Sequence, residues 1–203
     1  DEMLEALAET GKPIVLVIET GRPLTLEDVA GKAAAVLVAW HPGTEGRTAL
    51  AEVLTGAVAP SGKLPMTFPR SVGQVPIAYN DLPTSRPATG DRYTTGYVDE
   101  EPTPLYPFGH GLSYTTFAYS SLGISAPGMA RDGKIEVRVD VTNTGTRAGQ
   151  EVVQLYTRQL VAARSRPVRE LKGFEKISLA PGQRRTVRFT LSARDLAYHD
   201  DEG

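Results

Sequence analysis

Residues 135–142 read Ile-Glu-Val-Arg-Val-Asp-Val-Thr. Every second side chain is aliphatic, and those between are charged or polar. A period of two belongs to a strand with one face on a core and the other in water. Working outward, Asn143-Thr144-Gly145 is a turn, and a second strand is predicted over 151–157. A third is predicted over 171–179, with Phe174 and Ile177 expected inward. Ala180-Pro181-Gly182-Gln183 has Pro and Gly where a type II turn wants them. Beyond it Val187, Phe189 and Leu191 alternate with Thr186, Arg188 and Thr190. The all-β pattern begins at Phe117. Short alternating strands joined by turns predict a β-sandwich. The final residues, 199–203, read as a turn leading into further strands. The sandwich is therefore expected to lack its last strands, which would leave a sheet edge open.

The N-terminal half has another texture. Residues 1–10 suit the end of a helix, with Met3, Leu4, Leu7 and Ala8 on one face and Gly11 after its last turn. Ile14-Val15-Leu16-Val17-Ile18 is a wholly apolar run, and residues 33–40 form another. Such runs fit parallel strands covered on both faces. Pro42-Gly43-Thr44 opens a predicted helix over 45–55, with Thr44 as N-cap and Ala49, Leu50, Val53 and Leu54 inward. Helix, strand, strand and helix in this order predict an α/β layer with a partial parallel sheet. Two strands cannot cover both faces, so further elements are expected upstream. Residues 56–115 hold nine prolines, too long a stretch for an ordinary loop. They also hold Phe68, Tyr79, Tyr93, Tyr97, Tyr106, Phe108 and Tyr114, which argues for an ordered, extended segment packed on other surfaces.

Of 203 residues, 40% are hydrophobic and 23% charged, ordinary for a globular chain. Residues 1–115 carry 8 Lys and Arg against 14 Asp and Glu, and residues 116–203 carry 14 against 10. The imbalance reads as two domains with solvated faces, or as a basic binding face in the C-terminal half. The net charge of −2 gives no sign of a nucleic-acid or membrane partner. There is no cysteine, which excludes disulfides, thiol nucleophiles and thiolate metal sites. No apolar run reaches the roughly 18 residues of a membrane span. The acidic, helical N-terminus is not a signal peptide, which leaves the compartment open if the chain belongs to a longer protein.

Motifs for chemistry mostly fail. Residues 56–64 imitate a phosphate loop, with one residue too many and Leu64 in place of Ser or Thr. Residues 109–114 begin like a dinucleotide loop but lack its third glycine. His41, His110 and His199 have no metal-ligand spacing, and no metal site is expected. Glu45 fits a helix start, and Asp99, Glu100 and Glu101 fit a solvated turn before Pro102. No catalytic residue is assigned.

Longer strings are more specific. Trp40-His41-Pro42-Gly43-Thr44-Glu45-Gly46, residues 49–56 and Pro60-Ser61-Gly62-Lys63-Leu64-Pro65-Met66-Thr67-Phe68-Pro69 resemble the second half of the α/β-sandwich domain of family 3 glycoside hydrolases. Residues 105–117, from Leu105-Tyr106-Pro107-Phe108-Gly109 onward, resemble the family's passage into a fibronectin-type-III-like domain. Val141-Thr142-Asn143-Thr144-Gly145, Val153-Gln154-Leu155-Tyr156 and residues 169–176 are similar to that domain's strands. The resemblance spans nearly the whole chain, in order and spacing. It implies an α/β part over 1–88, an extended linker over 89–116 and a truncated, immunoglobulin-like all-β domain over 117–203. It implies a bacterial β-glucosidase with a retaining mechanism and no cofactor, acting on a β-glucoside or oligosaccharide. In that family the nucleophile comes from an N-terminal (β/α)8 barrel, and the acid/base glutamate from the earlier half of the α/β domain. Both segments lie upstream of the matched strings, so this chain alone is expected to be inactive. Which residues touch substrate is left unknown. Trp40, Tyr93 and Tyr97 are candidate sugar platforms, with core packing the blander use of each. The helix start after Pro42 is a candidate for facing sugar hydroxyls. Two alternatives stay open, a non-catalytic carbohydrate- or protein-binding sandwich and a separate subunit of a split glycosidase.

Overall fold

A computed structural model describes residues 2–89 and 93–198. The chain clusters into two compact units. The first comprises residues 1–57, 64–79 and 84–110, and the second 58–63, 80–83 and 111–203.

In the first unit, helix α1 (Glu2–Ala8) leads to strand β1 (Val15–Ile18), a short helix α2 (Glu27–Ala30), strand β2 (Ala35–Val38) and helix α3 (Gly46–Leu54). The two strands pair in parallel, from Val15 opposite Ala35 to Ile18 opposite Val38. Their side chains are half-buried at best, so the apolar runs are real strands without the cover on both faces that their composition anticipates. Three details differ from the sequence reading. On α1 only Leu4 is buried, while Met3 and Leu7 are exposed. Helix α2 has no sequence signal, because four residues are too few to show a period. Helix α3 begins after Glu45, not Thr44, and no side chain caps it. Its half-buried face is Leu50 and Val53, with Ala49 and Leu54 exposed.

Among the described residues the second unit is built on five strands. Strands β3 (Phe117–Ile124), β4 (Lys134–Asn143) and β7 (Arg184–Ser192) make one antiparallel sheet in the order β3-β4-β7. Strands β5 (Gly149–Thr157) and β6 (Glu170–Leu179) make the other. Val141, Val153, Ile177, Leu179 and Val187 form the core, each at most 1% exposed, with Phe117, Val139 and Phe189 packed against it. The turn after β6 is as expected, with Gly182 at φ +73° and the Gln183 amide donating to Ala180 O at 3.0 Å. Residues 199–203, which read as a turn toward further strands, lie outside the described residues.

Phe174 is the correction in this unit. It is 69% exposed, while Ile177 is buried. Three residues apart in a strand means opposite faces. The inward neighbour of Phe174 is Gly173, and Phe189 from the other sheet occupies the space a side chain would need. A Cβ on Gly173 would lie 2.9 Å from Phe189 Cδ1.

Two polar residues are buried for identifiable reasons. Asn143, with no exposed surface, ends β4. Its Oδ1 accepts from the Thr115 hydroxyl at 2.7 Å and from the Gly145 amide at 3.1 Å. Its Nδ2 donates to Arg147 O at 2.8 Å and to Leu179 O, on the opposite sheet, at 3.0 Å. Asp140 sits on the outer face of β4, where Thr186 and Arg184 donate to its carboxylate. Those hydrogen bonds, that of Thr186 first, hold its pKa down to about 2.

Two measurements follow. Asn143→Ala removes the partner of two donors and two acceptors, the Thr115 hydroxyl and Leu179 O among them buried, and chemical denaturation is expected to show a loss of about 2–4 kcal/mol. Asp140 has a depressed folded-state pKa, so its contribution is fully present above about pH 4 and disappears as pH falls toward 2. Denaturation midpoints between pH 6 and pH 2 are expected to fall less steeply for Asp140→Asn than for the parent.

Candidate functional site

Open parallel sheets bind ligands outside the carboxyl ends of their strands. Here the ladder continues past both strands, with the Ala39 amide donating to Ile18 O at 2.8 Å and the Thr20 amide to Trp40 O at 3.2 Å. The two chain ends thus stay together as far as Thr20 and Trp40. Trp40 then takes φ +54°, a left-handed conformation that is costly for a bulky residue and held only by its surroundings. Its ring meets fully buried Phe68 edge-on, with centroids 5.9 Å apart. His41 lies against Gly21, where a Cβ would come 2.9 Å from Nε2. Pro42 closes on Gly46, where a Cβ would come 2.5 Å from the proline Cβ. The strand-to-helix turn therefore tolerates no side chain at 46.

An aromatic platform lies in the same unit. Phe68 and Tyr106 exchange backbone hydrogen bonds at 2.8 and 3.3 Å, and Leu64 does so with Gly109 and His110. Tyr106 stacks on His110 at 5.4 Å and Tyr79 on Phe108 at 4.2 Å. A concavity of about 660 Å³ opens beside Tyr79 and Phe108, between Arg22, Met66, Val72, Val75 and Ile77. That volume suits a small ligand, but the lining is mainly aliphatic and offers few partners for sugar hydroxyls.

The sequence candidates scatter. Glu45 is exposed at the start of α3. Glu100 accepts from Ser71 Oγ at 2.7 Å, while Asp99 is exposed. Tyr93 and Tyr97 are 68% and 47% exposed, so core packing is not their use. Of the three candidate sugar platforms only Trp40 packs inward, against Phe68. His41 and His110 belong to separate contacts and His199 lies outside the described residues. Among the described residues no group of three His, Asp or Glu could hold a metal ion.

Two polar anchors escaped sequence reasoning. Gln74, nearly fully buried, accepts from the Arg70 amide at 2.8 Å and donates to Glu101 O at 2.9 Å, tying two irregular segments together. In the second unit, Lys63 donates to Gly111 O at 2.8 Å and sits 3.2 Å from Glu151 Oε2. Tyr119 donates to Glu151 Oε1 at 2.8 Å. Burial first, and then the Glu151 carboxylate, push the Tyr119 phenol pKa well above its ordinary value. The lysine of the imitation phosphate loop is thus a structural staple. Nothing local in sequence pairs residues 63, 119 and 151.

The comparisons agree with this architecture. The model of the glycosyl hydrolase family 3 C-terminal domain matches residues 1–114, and that of the fibronectin type III-like domain matches residues 151–203. An α/β unit followed by such a sandwich defines the class, and this chain belongs to glycosyl hydrolase family 3. It is 50% identical to a periplasmic beta-glucosidase of Salmonella typhimurium, over 99% of this chain and 27% of that protein. It is 43% identical to a beta-xylosidase of Formosa agariphila, over 96% of this chain and 26% of that one. A crystal structure of beta-glucosidase from Listeria innocua in complex with glucose superposes with a TM-score of 0.95 at 38% identity, over 99% of this chain and 28% of that one. The chain spans about a quarter of the length of the relatives it matches.

Removing one partner of the Lys63–Glu151 pair leaves a mostly buried charge. Glu151→Gln is expected to cost about 3 kcal/mol in chemical denaturation, and the apolar double variant Lys63→Met/Glu151→Leu to recover most of it. A single variant as stable as the parent would remove the staple from this account.

Proposed function

We propose that this chain is the C-terminal part of a retaining β-glucosidase, which hydrolyses terminal β-D-glycosidic bonds. The nucleophile and the acid/base lie outside these residues. The observation that carries this is the match along 99% of the chain, at 50% identity, to about a quarter of a beta-glucosidase.

The chemistry needs two carboxyl groups about 5–5.5 Å apart, one attacking the anomeric carbon and one protonating the departing oxygen. The better-buried carboxylates here already have other duties. Glu151 holds Lys63 and Tyr119, and Asp140 holds Arg184 and Thr186. What the chain offers instead is a strained strand end at Trp40 and His41 and a braced sandwich. The first shapes the wall of a cleft. The division into residues 1–88, a connecting stretch over 89–116 and residues 117–203 belongs to the same proposal.

Purified chain is expected to show no turnover of aryl β-glucosides or β-xylosides above the buffer rate. A longer polypeptide that joins it to a family 3 barrel and the first half of the α/β domain is expected to hydrolyse at least one of them. Turnover by the isolated chain, abolished by changing one of its own carboxylates, would overturn the proposal.

A further inference from the structure

The outer face of the β3-β4-β7 sheet carries a feature that the core does not explain. Arg138 on β4 stands directly opposite Arg188 on β7. Like charges in that position weaken a sheet. Arg188 is matched by Glu136, and Arg184 by Asp140. Among the described residues Arg138 has no carboxylate, so one guanidinium is left over. Asp140 does not supply the missing charge, because Thr186 and Arg184 already donate to its two oxygens.

The backbone of β3 is shaped around that arginine. Its pairing with β4 shifts between Ser120 and Gly123, and Ser121 within the bulge takes φ +53°. Bulges re-aim side chains and are retained where that is useful. Here the bulge sets Gly123 opposite Arg138, and the arginine side chain lies across it. A Cβ at 123 would come 3.0 Å from Arg138 Nε. Arg184 reaches Ser121 Oγ at 3.4 Å. The result is a polar hollow of about 500 Å³, walled by Ser121, Arg138, Asp140, Arg184, Thr186 and Arg188. It contains no apolar anchor. An occupant must carry an anionic group for the unmatched Arg138, and hydroxyls for Ser121 and Thr186. Planar guanidinium pairs favour carboxylates.

We propose that this hollow binds a carboxylate-bearing sugar, a uronate unit of an acidic glycan, with its carboxylate on Arg138. The site lies on the sandwich face and serves retention rather than hydrolysis.

Isothermal titration of the chain with a galacturonate oligomer at low salt tests this. Saturable binding is expected, weakened at least tenfold by Arg138→Gln and by Gly123→Val, which displaces that arginine. Arg185→Gln, which removes the same charge from the neighbouring position on β7, is expected to change it less than twofold. Neutral cello-oligosaccharide is expected not to bind, and poly-glutamate of equal charge to bind at least tenfold more weakly. Flat titrations, equal losses in Arg138→Gln and Arg185→Gln, or equal affinity for poly-glutamate would each overturn the proposal. Far-UV circular dichroism of each variant, matching the parent, excludes loss of folding as the cause.

Discussion

One buried amide holds the two sheets of the sandwich in register. Asn143 belongs to β4 but donates to Leu179 O on β6, while its oxygen gathers the approach to β3 and the turn after β4. Without it, the aliphatic core of Val141, Val153, Ile177, Leu179 and Val187 would still collapse, since apolar burial is not directional. It would have less to specify how the sheets are offset. A fully satisfied buried polar group supplies that specification, and all four of Asn143's interactions are made within the second unit.

The first unit depends on a different constraint. Two parallel strands give little apolar burial, and β1 and β2 remain half-exposed on their own. Order there comes from chain crossings instead. Phe68 is completely buried beneath Trp40, and Gln74 ties residues 70–74 to 101–103. The backbone at Trp40 bears the cost in a left-handed turn. Strain of this kind collects where a structure must present a surface rather than fill a core.

Much of this architecture was legible in the sequence. The alternation over 135–142 and 186–191, the apolar runs of β1 and β2 and the turn at Ala180–Gln183 depend on neighbours within a few positions, which is the range of periodicity and turn chemistry. Phe174 was misread because its inward neighbour is Gly173, whose role depends on Phe189 in the other sheet. The exposed positions of Tyr93 and Tyr97, the Lys63–Glu151–Tyr119 network and the Gln74 clamp were hidden for the same reason. Each is decided by residues distant in sequence. Recognition of the family rested on long strings in register, several of whose residues shape turns and close crossings.

Family 3 chemistry by a retaining route passes through a covalent glycosyl-enzyme, and that bond marks the nucleophile directly. The sharpest measurement is therefore peptide mass spectrometry of an active, longer polypeptide containing these residues, after inactivation with an activated 2-deoxy-2-fluoro-β-glucoside. A single sugar adduct is expected on a carboxylate outside residues 1–203. An adduct on any aspartate or glutamate within them would contradict it.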